Sequence, residues 1–216
     1  MAIKLYGISI SNYFSTAKAA VLEKNIEFEE VAMFPSDKPE VLASSPMGKV
    51  PYLEVDGKTL TETNVILDYL EDCYPEPVMY PSDPWDRAKA KEIIRTVELY
   101  IDFPARKHIA AVYFGQPVDE SLLKPVKAEL DKGINALLSL AKFSPYIAGD
   151  SFGFADIATF FQLQFANVHT QKIYDWDFIA ENKELAAYFE LTSKQPTINA
   201  VNDILQRDFA AMQSAS

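Results

Sequence analysis

The chain has 216 residues, 49% of them hydrophobic and 24% charged, with a formal net charge of −11. That composition belongs to an ordinary globular protein with room for one generous core or two modest ones. The acidic balance excludes the basic patch a nucleic-acid partner needs and disfavours docking on an acidic membrane surface. No run of about 18 apolar residues predicts a transmembrane helix. A single cysteine, Cys73, rules out an internal disulfide framework and fits a reducing compartment. The N-terminus lacks a basic segment followed by an apolar stretch, so a cytoplasmic location is expected.

Ile3 to Tyr6 predicts a short strand, and residues 13–24 carry Phe14, Ala17, Val21 and Leu22 at near-helical spacing. Phe28 to Val31 predicts a second strand, followed by a short helical or irregular piece around Pro39–Ala43. Tyr52–Val55, the Asp56-Gly57 turn and Thr59–Leu60 then form a hairpin signal, and a helix is expected from Thr63 to Tyr74. This β-α-β-α-β-β-α order is that of a thioredoxin-like domain over residues 1–80. Pro75, Pro77, Pro81 and Pro84 stop helix propagation and predict a linker at 81–86. Residues 87–216 are expected to form an all-α helical bundle, with helices near 85–113, 120–142, 154–168, 182–192 and 197–211. Pro104 is expected to kink or split the first of these.

The most informative stretch runs from Gly48 to Thr63 (GKVPYLEVDGKTLTET). Pro51 stands just before an apolar strand, where a cis X-Pro bond costs little and marks a fixed turn. Such a bond aims the main-chain N–H and C=O of Val50 away from the sheet, toward an extended peptide. The helix opening at Thr63 offers unpaired N–H groups as a seat for a carboxylate. Side by side, the two features suit a small, extended, anionic peptide.

With Ile3-Lys4-Leu5-Tyr6-Gly7 and Ser11-Asn12-Tyr13-Phe14 upstream and Thr61 to Leu70 downstream, the chain resembles the cytosolic glutathione S-transferases, most closely their bacterial and plant serine-type branches. The likeness covers nearly the whole length and is most specific in the first 80 residues. It implies glutathione as co-substrate, with no metal, and conjugation of its thiolate to an electrophilic small molecule. A homodimer is implied as well. Members commonly open the helix near residue 154 with Ser or Thr three residues before the aspartate; here Gly153 stands there. Asp156 therefore belongs to a helix cap, with Phe152 and Ile157 as a candidate staple across it.

By that resemblance Ser11 is the catalytic hydroxyl that stabilises the glutathione thiolate, and Asn12 offers a second donor. Taken alone, Ser11 is also an ordinary helix cap and Asn12 a first-turn residue facing water. Glu62 and Thr63 match the family's Glu-Ser pair, which holds the α-ammonium and α-carboxylate of the peptide, against the alternative that Thr61 or Glu62 merely caps the helix. Val50, set by Pro51, would pair with the cysteinyl main chain. Lys49, and less directly Lys38, are candidates for the glycyl carboxylate, against the alternative of solvated lysines. Residues 1–80 carry 13 acidic and 6 basic side chains and no arginine, so an anion binds there against the general field.

Tyr6 and Ser9 are rival thiol activators, Tyr6 being read as part of the first strand. Cys73 is expected to be a buried, inert thiol. His108 and His169 have no ligand-spaced partners. Phe103, Arg106, Lys107, Tyr113 and Phe114 lie on the helix that lines the electrophile pocket in the family, and Asp102 is a candidate to reach a neighbouring site. An isomerase or peroxidase on the same scaffold, or a non-catalytic binding or regulatory relative, stays open as an alternative.

Overall fold

The computed structural model describes residues 2–214. In chain order the elements are β1 (Ile3–Gly7), α1 (Asn12–Glu23), β2 (Glu29–Ala32), α2 (Pro39–Leu42), β3 (Tyr52–Val55), β4 (Lys58–Thr61) and α3 (Thr63–Cys73). There follow α4 (Pro84–Val97), a π-helical turn (Glu98–Asp102), α5 (Phe103–Arg106), α6 (Ile109–Tyr113) and α7 (Glu120–Leu140). The remaining helices are α8 (Phe154–Tyr174), α9 (Phe178–Glu181), α10 (Lys183–Ser193) and α11 (Pro196–Ser214).

Contacts divide the chain into two units: the residues up to Met79 together with the chain from Lys194 onward, and Tyr80–Ser193. The division departs from a helical domain running over 87–216, because α11 packs against α1 and so groups with the first unit.

The sheet of the first unit has the order β2-β1-β3-β4, with β2 parallel to β1 and β3 antiparallel to both of its neighbours. Leu5 and Leu53 face each other across β1 and β3 and are wholly buried, as are Ala17 and Val21 of α1 and Ile66, Leu67 and Leu70 of α3. Burying one such Leu or Ile side chain is worth about 1.5–3 kcal/mol. Gly7 closes β1 because a Cβ there would lie 2.2 Å from the ring of Phe14, which is itself buried. Leu22, expected on the buried stripe, is exposed.

A buried ion pair ties α1 to α3. Lys24 Nζ meets Glu71 and also donates to the Pro77 carbonyl at 2.7 Å, while Glu71 accepts the Met79 N–H at 3.2 Å. With both charges hydrogen-bonded, their burial is offset locally. Cys73, expected to be buried, is exposed instead. It is the last residue of α3, and Glu71, drawn inward by Lys24, takes the buried place in that turn.

In the second unit Pro104 acts as expected: the long helix near 85–113 is split into α4, the π turn, α5 and α6. Pro104 has no N–H to give the Tyr100 carbonyl four residues earlier, and the helix widens just before it. That carbonyl points at α7, where a Cβ on Gly133 would stand 2.1 Å from its oxygen. Glycine at 133 thus admits the close approach of α7 to the broken helix. Helix α8 extends to Tyr174 rather than ending near 168, since Asn167, His169 and Thr170 are buried there with local partners.

Asp156 is a capping residue, as the sequence suggested. Its carboxylate accepts the Gly153 N–H at 2.9 Å, and it reaches beyond the cap to the Ile147 N–H, also at 2.9 Å. The Phe152 ring lies edge-on to Tyr146. Burial pushes the Asp156 carboxyl up to about 6, against the two N–H donors that pull it down.

Two measurements follow from these contacts. Gly133→Ala is expected to lower the unfolding free energy by about 1–3 kcal/mol in urea titration, because the new methyl must displace main chain. For Asp156 the folded state holds its proton more tightly than the unfolded chain does. Its contribution is therefore full below about pH 4 and is lost as pH rises through about 6, by about 2–3 kcal/mol. The difference in stability between wild type and Asp156→Asn, measured from pH 4 to 7, should change with that sign.

Candidate functional site

The sheet register gathers most of the suspected residues. Tyr6 of β1 stands opposite Tyr52 of β3, and Tyr52 stands opposite Thr61 of β4. The chain leaving β1 toward Ser11, the chain entering β3 through Val50 and Pro51, and the chain leaving β4 into Glu62 and Thr63 therefore meet at one end of the sheet. Because β2 runs parallel to β1, with Ala32 opposite Gly7, the segment leading to Lys38 departs from that same end.

Ser11 is the N-cap of α1. Its Oγ accepts the Phe14 N–H at 3.3 Å, and its own N–H closes a turn onto the Ile8 carbonyl at 3.0 Å. The hydroxyl proton has no acceptor among the described residues, so capping and donation to a ligand are compatible. Asn12 is 3% exposed, which removes the reading of a residue turned to water.

The two rivals are committed elsewhere. The Tyr6 hydroxyl donates to Glu54 Oε2 at 2.9 Å, and its ring stacks on Tyr52 with centroids 4.4 Å apart. Burial and that hydrogen bond push the phenol up to about 12, so Tyr6 is held as a neutral donor to Glu54. The Ser9 hydroxyl donates to Asp208 Oδ2 at 2.6 Å.

The Val50–Pro51 peptide is cis. Among the described residues neither the N–H nor the C=O of Val50 joins a main-chain hydrogen bond. The loop before it is stiff for reasons the sequence did not reveal. Gly48, at φ +61, donates to Ser45 O at 2.7 Å and accepts from Ser36 N at 2.9 Å, and a Cβ on it would lie 2.5 Å from Ser36 O. The buried Ser45 hydroxyl donates to Lys49 O at 2.7 Å and accepts the Lys49 N–H at 3.2 Å. Lys49 and Lys38 are exposed, and neither ammonium is paired among the described residues.

Glu62 precedes α3 at φ 69, ψ 112, a conformation few side chains adopt, and its carboxylate makes no capping bond. Thr63, first in the helix, is 5% exposed. A carboxylate held in a strained conformation beside a helix N-terminus suits recognition of an ammonium and a carboxylate on one ligand.

Other suspected residues belong to the second unit. Asp102 is fully buried and held by the Arg106 guanidinium at 2.5 Å. Arg106 stacks on Phe165, Lys107 pairs with Glu129 at 2.7 Å, and Tyr113 packs against His169, while Phe103 and Phe114 are exposed. Burial drives His169 down to about 4 and holds it neutral, and His108 shares a 2.7 Å hydrogen bond with Tyr174. Among the described residues no group of three or more His, Cys, Asp or Glu side chains converges on a metal position.

Residues 5–78 match the model of the glutathione S-transferase N-terminal domain, and residues 105–191 match that of the C-terminal domain. A glutathione S-transferase of Pseudomonas putida is 38% identical over 194 residues, covering 90% of this chain and 88% of that protein. This chain belongs to the glutathione S-transferase family. A probable glutathione S-transferase of rice, GSTU6, is 31% identical over 165 residues, 72% of this chain and 68% of the rice protein. In fold, glutathione transferase F7 of Populus trichocarpa superposes with a TM-score of 0.78 at 22% identity, covering 94% of this chain and 99% of the poplar one. No helix among the described residues is long and apolar enough to cross a membrane.

The strain at Glu62 makes a prediction that separates site from scaffold. Glycine tolerates φ 69 without a Cβ penalty. Glu62→Gly is expected to hold or raise the thermal midpoint, with a gain of up to about 1 kcal/mol, as read by calorimetry.

Proposed function

We propose that this chain conjugates glutathione to electrophilic small molecules, with Ser11 as the hydroxyl that stabilises the thiolate. The observation that carries the reading is the gathering of Ser11, Val50, Glu62 and Thr63 at one sheet end, with the Val50 main chain left unpaired. The cysteinyl main chain of glutathione pairs with Val50. The γ-glutamyl end sets its ammonium on Glu62 and its carboxylate on the Thr63 N–H and hydroxyl. Lys49, with Lys38 as the more distant cation, offsets the acidic field at the glycyl carboxylate, and buried Asn12 lines the same corner.

A free thiol near 8.5 is mostly protonated at neutral pH, and each unit of depression corresponds to about 1.4 kcal/mol. The Ser11 proton and the N-terminal end of α1 together supply about 2–3 kcal/mol in favour of the thiolate. The sulfur then attacks the electrophilic carbon and forms the C–S bond. The bond to the leaving group breaks with its electron pair, or, in an addition, the displaced pair takes up a proton. No covalent enzyme intermediate is involved. The protein works in the cytoplasm as a homodimer, a reading supported by the family's habit and by exposed Trp85 and Tyr100.

Ultraviolet titration of bound glutathione tests the assignment. Ser11→Ala is expected to raise the bound thiol pKa by about 1–2 units and to cut kcat by about 10- to 100-fold. Tyr6→Phe should leave both close to wild type. The assignment fails if Ser11→Ala behaves as wild type while Tyr6→Phe abolishes the depression. Glu62→Gly should weaken glutathione binding by about 10-fold or more although the fold holds. Retention of a Ser11-dependent thiolate without conjugation of any electrophile would instead favour isomerase or peroxidase chemistry.

A further inference from the structure

We infer that Ser9 and Asp208 form a positioning pair that locks the turn presenting Ser11, so that the last helix of the chain serves thiol activation. The inference rests on the reading of Ser11 as the activating hydroxyl. The Ser9 Oγ–Asp208 Oδ2 distance of 2.6 Å joins residues 199 positions apart. Its length is that of a charge-assisted O–H···O⁻ bond.

The local geometry gives the bond leverage. Residues Ile8 to Ser11 form one turn, closed by the Ser11 N–H on the Ile8 carbonyl at 3.0 Å. Ser9 is the second residue of that turn and Ser11 the fourth, with only Ile10 between them. Anchoring the Ser9 side chain therefore restrains the rotation of the turn that aims Ser11 Oγ. Asp208 lies on α11, which packs on α1, the helix that Ser11 caps. The turn and the helix it opens are thus held by the same element.

Asp208 is itself oriented. The Arg207 Nε donates to its Oδ1 at 2.8 Å, leaving Oδ2 for Ser9. The Arg207 and Ser9 hydrogen bonds hold its carboxyl below the usual carboxylate range, with smaller help from the charges of Arg207 and Lys18. Asp208 is a charged acceptor across the working range of a transferase. Nothing in this arrangement requires Asp208 to touch glutathione.

A set of variants decides the matter. Asp208→Ala and Ser9→Ala are each expected to lower kcat about 5- to 30-fold, the equivalent of one lost charge-assisted hydrogen bond. Each should raise the bound thiol pKa and leave the KM for glutathione within about 2-fold, a split that mere loosening of α11 would not produce. Asp208→Asn keeps an acceptor for Ser9 and should recover most of the activity. The double variant should be no worse than either single one, because both remove the same bond. If Asp208→Ala proves unfolded by circular dichroism, Ser9→Ala and Asp208→Asn carry the decision alone. Wild-type kcat and thiol pKa in Ser9→Ala, together with a raised pKa in Ser11→Ala, would overturn the pair and leave the Ser11 reading standing. A wild-type thiol pKa in Ser11→Ala would overturn both.

Discussion

Strand β3 is hydrogen-bonded on both sides by antiparallel neighbours, with Tyr52 facing Tyr6 on one and Thr61 on the other. Three chain segments that are distant in sequence consequently reach the same end of the sheet: the exit of β1, the entry of β3 and the exit of β4. Side chains in a sheet alternate with a period of two, so a slip of one residue would turn the buried Leu53 outward and misplace Val50 with it. Register is thus the constraint on which the gathering of Ser11, Val50, Glu62 and Thr63 depends. The apolar pair Leu5–Leu53 is what enforces it.

The same end of the sheet shows how the roles of hydroxyl groups are divided by their acceptors. Tyr6, Ser9 and Ser11 lie within six residues, yet two of them spend their protons inside the protein, on Glu54 and Asp208. Only Ser11 uses its oxygen as an acceptor from the backbone. That arrangement caps a helix and leaves the hydroxyl proton without an acceptor among the described residues. Charge is divided similarly. In a strongly acidic unit, Lys4, Lys18 and Lys24 are consumed by ion pairs with Glu29, Glu30 and Glu71, whereas Lys38 and Lys49 make no ion pair among the described residues.

The helical unit is organised by two local departures from regular geometry. Pro104 breaks the long helix and frees a carbonyl, and Gly133 makes room for it. Asp156 spans a helix start and the chain at Ile147, fixing the loop between α7 and α8. The Ser or Thr hydroxyl common at the cap position in the family is absent here, and Gly153 retains only the half that uses its main-chain N–H. Both devices stabilise the unit without contributing an obvious reactive group.

Much of the first unit was legible from sequence, since periodicity, the Asp56-Gly57 turn and Pro51 act over a few residues and need no distant partner. The β-α-β-α-β-β-α order, the split at Pro104 and the cap at Asp156 all belong to that class. What the chain could not declare was which distant groups meet. The burial of Asp102 under Arg106, the exposure of Cys73, the extension of α8 through buried Asn167 and His169, the fixing of Lys49 by Ser45 and the bond from Ser9 to Asp208 each depend on a contact partner or on burial that local pattern does not encode. The grouping of α11 with the first unit has the same origin, because an amphipathic helix announces that it has an apolar face but not which surface covers it. Local conformational preference was therefore written in the sequence, whereas tertiary packing alone decided which of the neighbouring hydroxyls and lysines found partners within the protein.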